Sequence, residues 1–125
     1  MSQTKLAKIS LLIIFLTLSG HAIGYGYLTS LGGEGVTIKS YFVHNQGSVS
    51  LLLEQDLPLN PDNCSVKNHV YIKNDRPGHK TMIAAAMAAF SAGKKVGFHG
   101  YGCEIIPFWG GTLTRPTVSE LWVID

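Results

Sequence analysis

Charge is scarce in this chain. Only 14% of its 125 residues are Asp, Glu, Lys or Arg, and the formal net charge is +2. Lys5 and Lys8, in the first few residues, account for that surplus, so basic and acidic residues balance beyond Ala22. A nucleic-acid binder needs a net basic face to replace condensed counterions, and the composition argues against that class of partner. Metal-binding vocabulary is equally thin. His44, His69, His79 and His99 stand singly, with neither a His-Glu-x-x-His run nor paired Cys-x-x-Cys, so no metal and no cofactor are expected. Neither a Gly-x-Ser-x-Gly elbow nor a phosphate-cradling loop is present. The carboxylates Glu54, Asp56, Asp62, Glu104 and Glu120 are dispersed, and spacing pairs none of them. The chain does not read as an enzyme.

Long apolar runs are also missing, apart from one. Ile9–Leu18 follows the basic Lys5 and Lys8 and precedes the small residues around Ala22. That order is a secretory signal, with cleavage expected after Ala22 or, failing that, Gly24. Ten residues are too few to span about 30 Å of hydrocarbon, so no stable membrane insertion is expected after cleavage. Residues 1–22 are then the signal peptide, and 23–125 are one domain, periplasmic or secreted. Only Cys64 and Cys103 are available for oxidation. In an exported chain they are expected to pair. Closing a loop of roughly 40 residues stabilises a fold by about 4 kcal/mol through loop-closure entropy.

What the sequence does contain is most orderly between Asn68 and Glu104. Val70 and Ile72 alternate with His69, Tyr71 and Lys73, as in a half-buried strand. Asp75-Arg76-Pro77-Gly78 breaks it, and a helix is expected from there to about Ala92. Met82, Ile83, Ala86, Met87 and Phe90 form its apolar face, and Gly93 occupies the position of a left-handed cap. Val96, Phe98 and Gly100 then open another strand, closed by Cys103. Upstream, Ile23–Gly35 reads as an irregular lead-in. Val36–His44 and Ser48–Glu54 read as a hairpin turning at Asn45-Gln46-Gly47. Pro116 marks the entry to a last strand over Thr117–Asp125. The expected class is mainly β with one helix: a five-stranded, OB-fold-like barrel with the helix between strands 3 and 4 and one disulfide. A three-layer or α+β sandwich uses the same elements.

Several of these residues resemble a known group. Tyr71-Ile72-Lys73, Pro77-Gly78-His79-Lys80, Ala92-Gly93-Lys94-Lys95-Val96, Gly102-Cys103 and Pro116-Thr117-Val118 are similar to the B subunits of bacterial A–B toxins, cholera-type and subtilase/pertussis-type. With Asn60-Pro61 and Cys64 they also resemble small uncharacterised exported proteins of Gram-negative bacteria. The likeness runs from about Gly35 to Val123. It implies an OB-fold, a ring of five subunits with helices lining the pore, and glycan binding. No glycan-contacting motif of the toxin subunits has a counterpart in this sequence, so no binding residue is carried over.

Two constellations remain. Ala84, Ala85, Ala88, Ala89 and Ala92 stand where a solvated helix normally presents charge, and of these Ala84, Ala85, Ala88 and Ala92 are the candidate face for a homo-oligomer; alanine is also simply the best helix former. Phe108 and Trp109 precede Gly110-Gly111 in the loop before the last strand. With Tyr101 and His99 from the neighbouring strand they are the candidate ligand-binding residues. An indole offers apolar area and one N–H donor for a sugar or a protein side chain, though a loop tryptophan also serves to seal a barrel end. The expected function is a non-enzymatic binding module for a glycan or protein partner. The alternative is a monomeric periplasmic structural or stress-related protein.

Overall fold

The structure, a computed structural model, describes residues 25–125. The expected signal peptide, residues 1–22, lies outside the described residues. Six strands and one helix follow in the order β1 (Tyr25–Tyr27), β2 (Val36–Val43), β3 (Val49–Leu53), β4 (His69–Ile72), α1 (His79–Ala92), β5 (Lys95–Ile105) and β6 (Thr114–Ile124). Five of the strands close in a ring, β2–β3–β4–β6–β5 and back to β2. All of its contacts are antiparallel except β4 with β6, where Tyr71 faces Thr117 in parallel register. The chain is mainly β with one helix, and the helix falls between the third and fourth strands of the ring.

A sixth strand corrects the five expected. β5 is eleven residues long, and β2 pairs with it only at Lys95 and Val96. The same edge farther along is taken by β1, with Tyr25 opposite Tyr101 and Tyr27 opposite His99. The segment read as an irregular lead-in therefore fills an edge that would otherwise leave backbone groups unpaired. Leu28 and Thr29 follow it into the interior, where the Thr29 hydroxyl accepts the Phe98 N–H at 3.0 Å.

The last two strands are longer than expected. β5 continues through Cys103 to Ile105, and β6 begins at Thr114, so Pro116 lies inside a strand, opposite Cys103. The β5–β6 register shifts between Gly100 and Cys103. That irregularity accommodates a residue with no N–H to offer. Cys64 and Cys103 are disulfide-bonded, with Cα atoms 5.6 Å apart, tying the β3–β4 loop to β5.

The core lies inside the ring. Val36 and Ile38, Val49, Leu51 and Leu53, Val70 and Ile72, Val96 and Phe98, and Val118 supply it from the five ring strands, with Leu28 and Leu57 added from loops. Ala86 and Ala89 of α1 complete it, with Met82 and Ile83 packed alongside. The helix is therefore turned from its expected orientation. Ala89, assigned to the outer face, is buried, while Phe90, assigned to the core, is 37% exposed and meets Tyr41 edge-on at 5.4 Å. Two small side chains on the inner stripe let the backbone approach the sheet, and the bulky neighbours move to the flanks. Gly93 caps the helix in the left-handed conformation, as expected. Lys94 pairs with Asp125. Among the described residues, no helix is long and apolar enough to cross a membrane.

Candidate functional site

The outer face of the sheet carries an unusual row of side chains, and a bulge places the first of them. In β2 the register slips between Ile38 and Ser40, so that Ile38 pairs with Leu53 and Tyr41 with Leu51. Leu51 and Leu53 both face the core, so Ile38 and Tyr41 share a face although they are three residues apart. The extra residue inverts the alternation. Phe42, opposite Ser50, is thereby directed outward, and His44 follows two residues on. Ser50 pairs with Tyr71, and Leu52 with His69. Phe42, His44, Ser50, His69 and Tyr71 thus gather on the face turned away from the core.

The strand expected to be half-buried is buried on both sides. All four residues of β4 are buried, with His69 4% exposed and Tyr71 4% exposed. The cover comes from the β5–β6 loop. Ile106, fully buried, anchors that loop, and its carbonyl accepts the N–H groups of Trp109 and Gly110 at 3.0 and 3.1 Å. Gly110 and Gly111 then take positive φ values of 64° and 71°, a reversal that residues with a Cβ make at a cost. The turn lays Trp109 across the row: its ring centroid is 4.9 Å from Phe42, 5.5 Å from His44, 5.3 Å from His69 and 5.3 Å from Phe108. Phe108 in turn lies 4.8 Å from Phe42.

Beneath this aromatic roof the polar groups are linked by hydrogen bonds. His44 Nε2 and the Ser50 hydroxyl are 2.8 Å apart. Gln46 donates to the Tyr71 hydroxyl at 3.3 Å. Arg115, on β6 and 7% exposed, donates from Nε to His69 Nδ1 at 3.2 Å and from Nη1 to the Leu113 carbonyl at 3.3 Å. Burial holds His69 down to a pKa of about 4, aided by the positive charges of Arg115 and His44, and burial also lowers His44. Beside the roof, Phe42–Gln46 and the Pro107-Phe108 pair line an open groove of about 580 Å³. Its walls come from the β2–β3 turn and the β5–β6 loop. Asn74 braces the turn by donating to the Gln46 carbonyl at 2.6 Å.

The four expected ligand-binding residues are divided among three places. Phe108 and Trp109 are together on this roof, and Trp109 remains 38% exposed. His99 belongs to a second hollow of about 390 Å³, with Tyr27, Leu31, Glu120 and Trp122. Its ring meets Tyr27 edge-on at 4.8 Å. The Ser119 hydroxyl and the Glu120 carboxylate approach the same nitrogen, Nδ1, at 3.0 and 3.3 Å. A triad needs its carboxylate and its nucleophile on opposite nitrogens of the imidazole, so this trio does not have that geometry. Tyr101 lies against the β4–α1 turn: Arg76 covers its ring at 3.6 Å, and its hydroxyl donates to Asp75 at 3.2 Å. On the helix, Ala84, Ala88 and Ala92 are exposed and Ala85 is half-buried.

Phe42, His44, His69 and Arg115 were not legible as a group. The one hint is that β4 alternates His69 and Tyr71 on what would be its solvent face, and neither is a typical solvated residue. Among the described residues, no group of three or more His, Cys, Asp or Glu side chains is placed to hold a metal. No protein-family model matches the chain, and neither the curated proteins nor the solved structures provide a match.

Proposed function

We propose that the chain is an exported, non-enzymatic binding module of OB-fold type, taking a saccharide in the groove between the β2–β3 turn and the β5–β6 loop. The cyclic strand order, with α1 between the third and fourth strands of the ring, supports the OB-fold assignment. In that fold, the loop after the first strand and the loop between the last two flank the oligosaccharide and oligonucleotide face. The observation that carries the proposal is that the corresponding loops here meet at an aromatic wall, in which Phe42 and Phe108 line the groove and Trp109 packs against both. Exposed aromatic faces bordered by Asn45 and Gln46 amides suit a sugar, which presents C–H faces and hydroxyl edges together. The near-neutral composition favours a saccharide over a nucleic acid. A disulfide supports an oxidising compartment, periplasm or exterior.

A glycan array probed with the mature protein and with Trp109→Ala tests this reading. Signal that disappears in the variant supports it. An array without signal, or signal indifferent to Trp109, overturns it and leaves a protein segment as the occupant of the groove. The toxin-like resemblance adds self-association through α1, which the exposure of Ala84, Ala88 and Ala92 supports. Light scattering on the purified protein measures that directly, and a monomer at high concentration removes the ring arrangement.

A further inference from the structure

We propose that the hollow lined by Tyr27, Leu31, His99, Glu120 and Trp122 is a second binding site, an aromatic corner with an acidic rim that takes a quaternary ammonium group. It shares no lining residue with the saccharide groove and does not depend on it.

Strand register builds the hollow. Tyr27 of β1 pairs with His99 of β5, and His99 with Glu120 of β6, so three strands bring these side chains into one row. Phe98, fully buried in the core, fixes the row as outward-facing, because neighbours along a strand point to opposite faces. Trp122, two residues beyond Glu120, shares that outer face and stands opposite Gly97. No side chain competes with the indole there, and a Cβ on Gly97 would collide with it. The glycine therefore lets the indole lie down on the sheet beside the row. Leu31 completes the lining of a space of about 390 Å³, within the range of about 300–1,000 Å³ usual for small-molecule sites.

This lining selects for one kind of guest. Tyr27 and Trp122 meet at 77°, with centroids 6.3 Å apart. Two rings near a right angle form a corner, and the electron-rich face of each borders the same space. Glu120 adds a carboxylate, steadied by His99 Nδ1 at 3.3 Å and by the Ser119 hydroxyl, and 66% of that side chain remains exposed. No lysine or arginine lines the hollow. Arg76, on the far side of Glu120, is stacked on Tyr101 at 3.6 Å. Ring faces and carboxylate together attract a cation. A bare ammonium or metal ion would exchange its hydration for aromatic carbon, with a single carboxylate as replacement. A quaternary ammonium has no N–H to satisfy, and its methyl groups pack on the rings and on Leu31. Tyr27 is 43% and Leu31 64% exposed, apolar surface that such a guest covers. The same group occurs free, as in choline, and as the headgroup of phosphatidylcholine.

Calorimetric titration of the mature protein tests this with choline, with ammonium, and with the uncharged alcohol in which a tert-butyl group replaces the trimethylammonium. Choline is expected to bind about tenfold more tightly than its uncharged counterpart, the difference a desolvated cation on an aromatic face makes. Glu120→Gln and Tyr27→Leu should each weaken choline by about tenfold, and both side chains are exposed enough that the core is left intact. In the unaltered protein the Trp122 indole N–H resonance should move as choline is added, a readout that does not depend on any variant folding. Phosphatidylcholine vesicles supply the second arm. Co-sedimentation that choline competes away supports the site and makes a lipid headgroup its source; choline binding without co-sedimentation supports it with a free small molecule as the source. Absence of choline binding, equal affinity for choline and the uncharged alcohol, or ammonium binding as tightly as choline overturns the proposal and leaves the saccharide groove standing.

Discussion

Trp109 stands edge-on to His69, with ring centroids 5.3 Å apart and planes at 73°. One loop residue therefore covers a strand residue that would otherwise face solvent, while keeping 38% of its own surface exposed. The two roles separate in Trp109→Ala. Aromatic pairs contribute about 0.5–1.5 kcal/mol each beyond their area, so losing the roof lowers stability by roughly 1–2 kcal/mol. In a domain of this size that is a fall in Tm of roughly 5–10 °C. Saccharide affinity should fall by at least about tenfold, since stacking on the indole supplies much of the contact. Calorimetry of unfolding beside the binding titration checks both, and unchanged binding with a lowered Tm would reduce Trp109 to a cover.

The same burial makes stability depend on pH. His69 titrates at about 4 in the fold, against 6.5 for an ordinary histidine. Between those values the unfolded chain takes up a proton that the folded chain does not. The stabilisation is complete above pH 6.5 and is lost as pH falls toward 4, up to about 3 kcal/mol in all. Burial shifts His44 in the same direction. Urea denaturation at pH 7 and at pH 4.5 should show the loss, and His69→Gln should flatten most of the slope. A wild-type profile that is level across this range would mean that the imidazole is hydrated after all.

Much of the ring was legible because apolar alternation reports which face meets the core. Val36 and Ile38, Val70 and Ile72, and Val96 and Phe98 all went where their period placed them. The disulfide followed from having just two cysteines. The site was harder to read because two tertiary events built it. A bulge inverted β2 after Ile38, sending Phe42 and His44 outward, and a loop from far down the chain folded over His69. Neither a register slip nor a loop's landing place has a local sequence period. The same holds for β1, which pairs because β5 outruns β2 and not because Tyr25–Tyr27 carries a strand pattern.

Cys64 and Cys103 close a loop with a sequence separation of 39, holding the proline-bearing β3–β4 loop against β5. The link fixes the loop next to Gly102, whose N–H the Asp62 carboxylate accepts at 2.6 Å. Replacing both cysteines by serine should lower stability by about 4 kcal/mol through loop-closure entropy, a drop in Tm of roughly 15 °C or more. Scanning calorimetry with and without reductant gives the same comparison on the natural sequence. Equal transitions under the two conditions would show that β5 holds that loop without the bond.

Gly97 and Trp122 face each other across β5 and β6, and the indole folds down over the glycine. A Cβ at position 97 would occupy the space of the five-membered and six-membered rings where they join. The ring cannot move freely, because Tyr27 stands edge-on to it at 6.3 Å and its Nε1 is buried. Gly97→Ala should therefore cost about 1–3 kcal/mol, as overpacking does, and should shift Trp122 emission to the red as the ring is pushed into solvent. Gly32→Ala is the control, since a Cβ there meets nothing within 4 Å. It should be neutral, or stabilising by up to about 1 kcal/mol through a less flexible unfolded chain. Emission is best read in a Trp109→Phe background, which leaves Trp122 as the reporter. Similar denaturation midpoints for the two glycine variants would mean that the indole has another place to go, and that this pair does not set the β5–β6 spacing.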